Sequence, residues 1–309
     1  VDQEGYNLFV TGSAGIGKLP FVRAAIESRA KHAEALDWVY VNRFDQPERP
    51  LALGLPRGRG AALRDDMRAM IDELKATIPA AFESETYATE VERIRGEITD
   101  RHAKALAALG EEAMRDGIAL VQTPNGFTLA PVKDGEVMEP AVFAKLPEAE
   151  QQRVRARILQ LQDRLQRIVR DGVRLRKEQA ERVTRVNRET TAFAVQQAFD
   201  ELRARYLDLP AVLGWLDALR DDLLAHSEDF LRSAQDAPVN PFLPRPDLGR
   251  YEVNLLCSRQ DADGAPVVEV EHPTLAALVG RIDHQVQMGN LVTDFRLIRL
   301  GMLHRANGG

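Results

Sequence analysis

Apolar residues recur at three- and four-residue spacing over two long stretches of the chain, and at two-residue spacing over a short one between them. Leu63, Met67, Met70, Leu74 and Ile78 form one amphipathic stripe, which predicts helix from Ala61, with weaker helical character past Pro79 to about Arg115. Between Ile118 and Met138 the period falls to two. Asn125-Gly126 and Asp134-Gly135 are hairpin-turn dipeptides there, so a small β-meander is predicted. Helix resumes near Pro140, where Val154, Ile158, Leu161, Leu165 and Ile168 alternate +4 and +3, the spacing of a coiled coil. Further helical stretches carry Phe193, Phe199, Leu202 and Tyr206, then Leu213, Leu216, Leu219 and Leu223; Trp215 among those leucines reads as core.

Strand patterns flank this helical region. Leu8-Phe9-Val10 reads as a buried strand and Trp38-Val39-Tyr40-Val41 as a second. From Lys18 to Ala35 lies a helix with Phe21, Val22, Ala25 and Ile26 on one side. Pro47 to Gly60, rich in proline and glycine, reads as an exit from the domain, and Asp236 to Gly249, with four prolines, as a linker back. Strand character returns at Tyr251–Leu256 and Pro266–Val270, expected to rejoin the first sheet. The predicted class is therefore an α/β phosphate-loop partial domain, interrupted by a mainly α-helical coiled-coil insertion with a β-meander. Residues 1–58 form the first part, 59–235 the insertion with its meander at about 118–138, 236–249 the linker, and 250–309 the continuation.

Charge refines the insertion. Residues 64–112 hold 12 acidic against 7 basic side chains, whereas 153–188 hold 12 basic against 4 acidic. Complementary signs predict an antiparallel pair of arms with the meander at the tip. The competing reading of 153–188 is a nucleic-acid footprint. Overall, 309 residues with 28% charged side chains and a net charge of −6 suit a soluble protein with long surface helices. The single cysteine, Cys257, excludes an internal disulfide and points to a reducing compartment. Neither an apolar run of about 18 residues nor a signal-peptide pattern occurs, so a cytoplasmic protein away from membranes is expected. The chain opens on Val1 and closes on Gly308-Gly309, as expected of a piece of something longer.

The chemistry concentrates in Gly12-Ser13-Ala14-Gly15-Ile16-Gly17-Lys18, which fits G-x-x-x-x-G-K between a strand pattern and a helix pattern. In such a loop backbone N–H groups cradle nucleotide phosphates and the lysine reaches the β/γ-phosphates, so ATP or ADP is the expected ligand. A Gly-rich strand-to-helix turn without a ligand is the plainer alternative. The next position should offer a hydroxyl to Mg²⁺, but it is Leu19, which has no oxygen for a hard cation and argues against turnover. Pro20 fits the first helical turn. His272, His284 and His304 lack zinc-ligand spacing, so no metal site is expected.

Several ordered blocks carry a family resemblance. They are Gly5-Tyr6-Asn7-Leu8-Phe9-Val10 leading into the loop, Asp37-Trp38-Val39-Tyr40-Val41-Asn42, and Leu55-Pro56-Arg57-Gly58-Arg59-Gly60. The last runs from His272-Pro273-Thr274-Leu275, through Gly280-Arg281-Ile282-Asp283-His284, to Gly301-Met302-Leu303-His304-Arg305-Ala306-Asn307-Gly308-Gly309. Together they resemble Lon-like proteases of the B and C branches. The resemblance implies an AAA+ ATPase module with a large insertion, feeding unfolded polypeptide to a Ser-Lys serine peptidase domain outside this chain. A homo-hexamer is implied for the full-length protein. It also implies that Leu291, Val292 and Phe295, within Gly289–Phe295, sit on a pore loop that grips substrate; ordinary strand residues facing a core are the other reading. His304 and Arg305 would then position a loop near the nucleotide. Members with decayed ATPase motifs fit Leu19 and would be ATP-independent. Two other classes share parts of the layout: an AAA+ remodelling ATPase without a protease, and a coiled-coil DNA-associated ATPase.

Overall fold

A computed structural model describes residues 8–33, 35–124, 126–133, 136–234, 246–258, 264–287 and 290–306. The chain forms two compact units, Val1–Pro79 with Ala192–Gly309, and Ala80–Thr191. In the first, α1 (Lys18–Ala30) precedes β1 (Leu36–Val41), β2 (Leu51–Pro56) and α2 (Arg59–Phe82). Every residue of the predicted stripe on α2, from Leu63 to Ile78, is buried. Pro79 lies inside the last turns of this helix rather than ending it.

The second unit starts within α2 and continues into α3 (Glu85–Arg115), whose first turn is capped by Ser84 accepting from the Tyr87 N–H. The meander follows as β3 (Ile118–Thr123), β4 (Gly126–Lys133) and β5 (Glu136–Val137), antiparallel in the order β3-β4-β5. The predicted turn residues Asn125, Asp134 and Gly135 lie outside the described residues. After α4 (Pro140–Phe143), α5 runs unbroken from Glu148 to Arg205 where the sequence suggested separate stretches. Leu161 and Leu165 of α5 join Leu109 and Ala113 of α3, Ile118 and Leu129 in one buried cluster, with Val154, Ile158 and Ile168 partly buried against it.

Polar pairs fix the direction of these two helices. Glu112 meets Arg157 and Arg164, Glu97 meets Arg182, and Tyr87 donates to Asn187 at 2.9 Å. Rising numbers on one helix match falling numbers on the other, so the arms are antiparallel and acidic faces basic.

Back in the first unit, α6 (Pro210–Ala225) and α7 (Ser227–Ser233) lead to β6 (Val253–Cys257). The latter pairs with β1, giving a three-stranded antiparallel sheet in the order β2-β1-β6. Val39, Val41, Leu53 and Leu55 are the buried apolar positions of β1 and β2. Trp215 is core, as expected, and its indole donates to the Asn42 carbonyl at 3.1 Å. The remaining elements are α8 (Leu275–Val279), β7 (Arg281–Ile282), β8 (Gln285–Gln287), β9 (Asn290–Val292), β10 (Ile298–Arg299) and α9 (Met302–Ala306).

Three expectations are corrected. Leu8–Val10 is not a buried strand: Phe9 is 89% exposed, and among the described residues no strand pairs with it. An extended segment becomes a strand only when a neighbour takes its backbone hydrogen bonds. Pro47–Gly60 is not merely an exit, because it contains β2. Pro266–Val270 forms no strand; the chain passes α1 instead, where the Ala265 N–H donates to the Ala30 carbonyl at 2.7 Å. Of the expected linker 236–249, residues 236–245 lie outside the described residues.

Candidate functional site

Gly12 to Gly17 form an exposed turn that enters α1 at Lys18. Gly15 (φ 81°) and Gly17 (φ 74°) occupy the left-handed region, which a side chain would strain. Gly17 stands at the N-cap, and the first intrahelical bond is Phe21 N–H to the Gly17 carbonyl at 3.2 Å. The N–H groups of Lys18 and Leu19 precede that bond and Pro20 has none, so at the helix start these two donors have no intrahelical acceptor and no partner among the described residues. Lys18 Nζ donates to the Gly12 carbonyl, folding the lysine back along the loop. This arrangement suits a phosphate that draws Lys18 off Gly12. Leu19 is 58% exposed and offers no ligand to a cation. The predicted apolar side of α1 is uncovered, with Phe21 and Ile26 exposed.

The hairpin from β7 to β10 carries the residues expected to grip polypeptide. Its base is locked by Asp283, which accepts from both Arg281 and Arg299 at 2.9 Å; these bonds hold its carboxyl below the usual range. Leu291 (73% exposed) stands opposite Val286, also exposed, and Val292 is exposed beside them. Phe295 does not belong to this exposed group. It is buried in a 3-10 turn (Phe295–Leu297) against β1 and β6. The turn is set by Asp294, which accepts from the Arg296 N–H at 2.8 Å and pairs with its guanidinium at 2.5 Å. Burial alone would raise the Asp294 carboxyl, but the Arg296 bonds outweigh it and leave the group lowered. Met288 and Gly289 lie outside the described residues.

Elsewhere, His304 accepts from the Gly301 N–H and lines a cavity of about 170 Å³ with Trp38, Tyr40 and Cys257. On the basic stretch 153–188, Arg157, Arg164 and Arg182 are engaged by acidic groups of α3 and its C-cap Asp116, which favours a charge-paired helix face over a nucleic-acid footprint. Among the described residues no cluster of three or more metal-ligating side chains occurs, and no helix is long and apolar enough to cross a membrane.

Two polar residues at the ends of β1 were given no role of their own in the sequence reading. Asp37 is fully buried and accepts from the Gly60 N–H at 2.9 Å and from Ser258 at 3.3 Å, so it ties the start of α2 to the sheet. Asn42 is buried, and among the described residues its side-chain Oδ1 has no partner. A charged residue interrupting the apolar run Trp38–Val41 just upstream was the available signal for the first.

Two family models match the chain: the Lon-like LonC helical domain over residues 37–70, and the LonB-like AAA domain over residues 263–309. The first covers β1, β2 and the first half of α2; the second takes in the segment beside α1 and the exposed hairpin. Gly12–Lys18 lies in neither match. No curated protein matches the chain.

Proposed function

We propose that this chain, which matches Lon-like family models over residues 37–70 and 263–309, belongs to the Lon-like protease family and binds ATP or ADP on Gly12–Leu19 within an AAA+ module that feeds unfolded polypeptide to a Ser-Lys peptidase domain. The observation that carries the reading is the loop itself: glycines at left-handed φ, spare N–H donors at the head of α1, and Lys18 poised against Gly12. The matched AAA segment beside α1 supports it. Leu291 and Val292, exposed on their hairpin, contact the polypeptide, while Phe295 holds that hairpin to the sheet. The full-length protein works as a cytoplasmic homo-hexamer.

Leu19 makes binding independent of Mg²⁺, because the helix start offers no hydroxyl at that position. Calorimetric titration with ADP, with and without Mg²⁺, tests this. Equal affinity in both is expected, with Mg²⁺ dependence appearing in Leu19→Ser. A wild-type chain that binds only with Mg²⁺ would contradict it.

A further inference from the structure

The first unit holds a groove of about 750 Å³ between the β1–β2 connection and α6. Its α6 wall is a run of small residues, Ala211, Gly214 and Ala218, and its floor includes Trp215, pinned by its bond to the Asn42 carbonyl. A Cβ added at Gly214 would meet nothing within 4 Å, so the space above it is open. Asn42 also lines the groove. It is only 6% exposed, yet among the described residues its Oδ1 has no hydrogen-bond partner. An orphaned buried acceptor keeps its desolvation penalty, which a ligand donor would relieve. The amide turns about a soft terminal torsion, so it can meet a donor in the groove at little cost.

Charge and geometry select the occupant. Asp45 and Asp221 line the groove, and neither has an ion-pair partner among the described residues; Arg43 is the opposing charge, and Asp222 is already taken by Arg250 and Tyr251. The balance favours a cationic ligand. A docked helix spends its interior N–H groups on itself, whereas an extended segment presents spare ones at every other residue. We propose that this groove holds an extended segment of polypeptide, with an apolar side chain over Trp215, a backbone N–H on Asn42 Oδ1 and flanking basic side chains near Asp45 and Asp221. The occupant's identity rests on the reading of the chain as a polypeptide-handling module; the site is separate from the phosphate loop.

The probe is a short fluorescent peptide with a central phenylalanine between lysines, held extended by prolines. Its binding to the whole chain is followed by anisotropy and, in a Trp38→Phe background that leaves Trp215 as the one tryptophan, by indole emission. Saturable binding with an emission change is expected. Gly214→Phe, which fills open space, and Asn42→Leu should each weaken it about tenfold, while Asn42→Leu leaves the melting temperature equal or higher because the orphan is gone. Methylating the peptide's central amide should weaken binding to the wild type by about tenfold and change nothing in Asn42→Leu. Lack of saturable binding, unchanged affinity in Gly214→Phe, or equal binding of a glutamate-flanked peptide would overturn the proposal. Lys18→Ala separates the two sites: it should leave peptide binding intact, so lost nucleotide binding with retained peptide binding bears on the loop alone.

Discussion

Replacing Asp37 by alanine should cost the first unit at least about 3 kcal/mol. Its carboxylate is fully buried and accepts from the Gly60 N–H at 2.9 Å, near the start of α2. A hydrogen bond to a charged group contributes about 1.5–3 kcal/mol, and the helix start gains about 0.3–1 kcal/mol from a nearby negative charge. The longer Ser258 contact, 3.3 Å, adds less. Removal also strands a buried backbone donor, since Gly60 itself is buried. Asp37→Asn keeps the shape and one acceptor and should cost about 1 kcal/mol. Gly60→Ala attacks the same contact from the other side: its Cβ would lie 2.7 Å from Asp37 Cβ and 3.1 Å from Leu255 Cδ1. Overpacking of that kind costs about 1–3 kcal/mol. Urea unfolding followed by tryptophan fluorescence is the assay, because both tryptophans, Trp38 and Trp215, lie in the first unit. An Asp37→Ala midpoint within about 0.5 kcal/mol of wild type would refute the capping role.

Other outcomes follow from the same contacts. Leu161→Ala, at a fully buried position between the arms, should destabilise the second unit by about 2–5 kcal/mol in a protease-susceptibility assay read at sites within 80–191. Tyr206→Phe removes a 2.9 Å bond to Asp66 and should lower stability by about 1 kcal/mol in urea unfolding. Asp283 and Asp294 both have lowered carboxyl pKa values, so their support is complete above the unfolded value near 3.9 and is lost as pH falls through the lower folded values. Hydrogen exchange should therefore show the 281–299 hairpin loosening only below about pH 4, and loosening at pH 6 would contradict the pairing.

Long periodic segments were legible in the sequence, and local exceptions were not. The α2 stripe and the leucines between the arms follow from spacing alone, since an amphipathic helix must bury its apolar side. β2 was hidden by its own composition. Gly54 reads as a breaker, but in the sheet a Cβ there would come within 3.2 Å of the Trp38 ring, so the glycine makes room for that indole. Leu8–Val10 has strand composition without a strand's neighbour among the described residues. At Phe295, alternation placed Leu291, Thr293 and Phe295 on one face, but β9 ends at Val292 and the Asp294 cap turns the next residue inward. The glycine-rich turn into α1 was visible as a motif, whereas the Asn42 groove was not, because an orphaned acceptor exists only once the chain around it is folded.

Nucleotide binding by the loop is tested most directly by calorimetric titration of ATP into the wild-type chain and into Lys18→Ala. Saturable binding at micromolar affinity, abolished in the variant, is the predicted result. Equal binding by both chains, or none by the wild type, would contradict the assignment of Gly12–Leu19 as the nucleotide site.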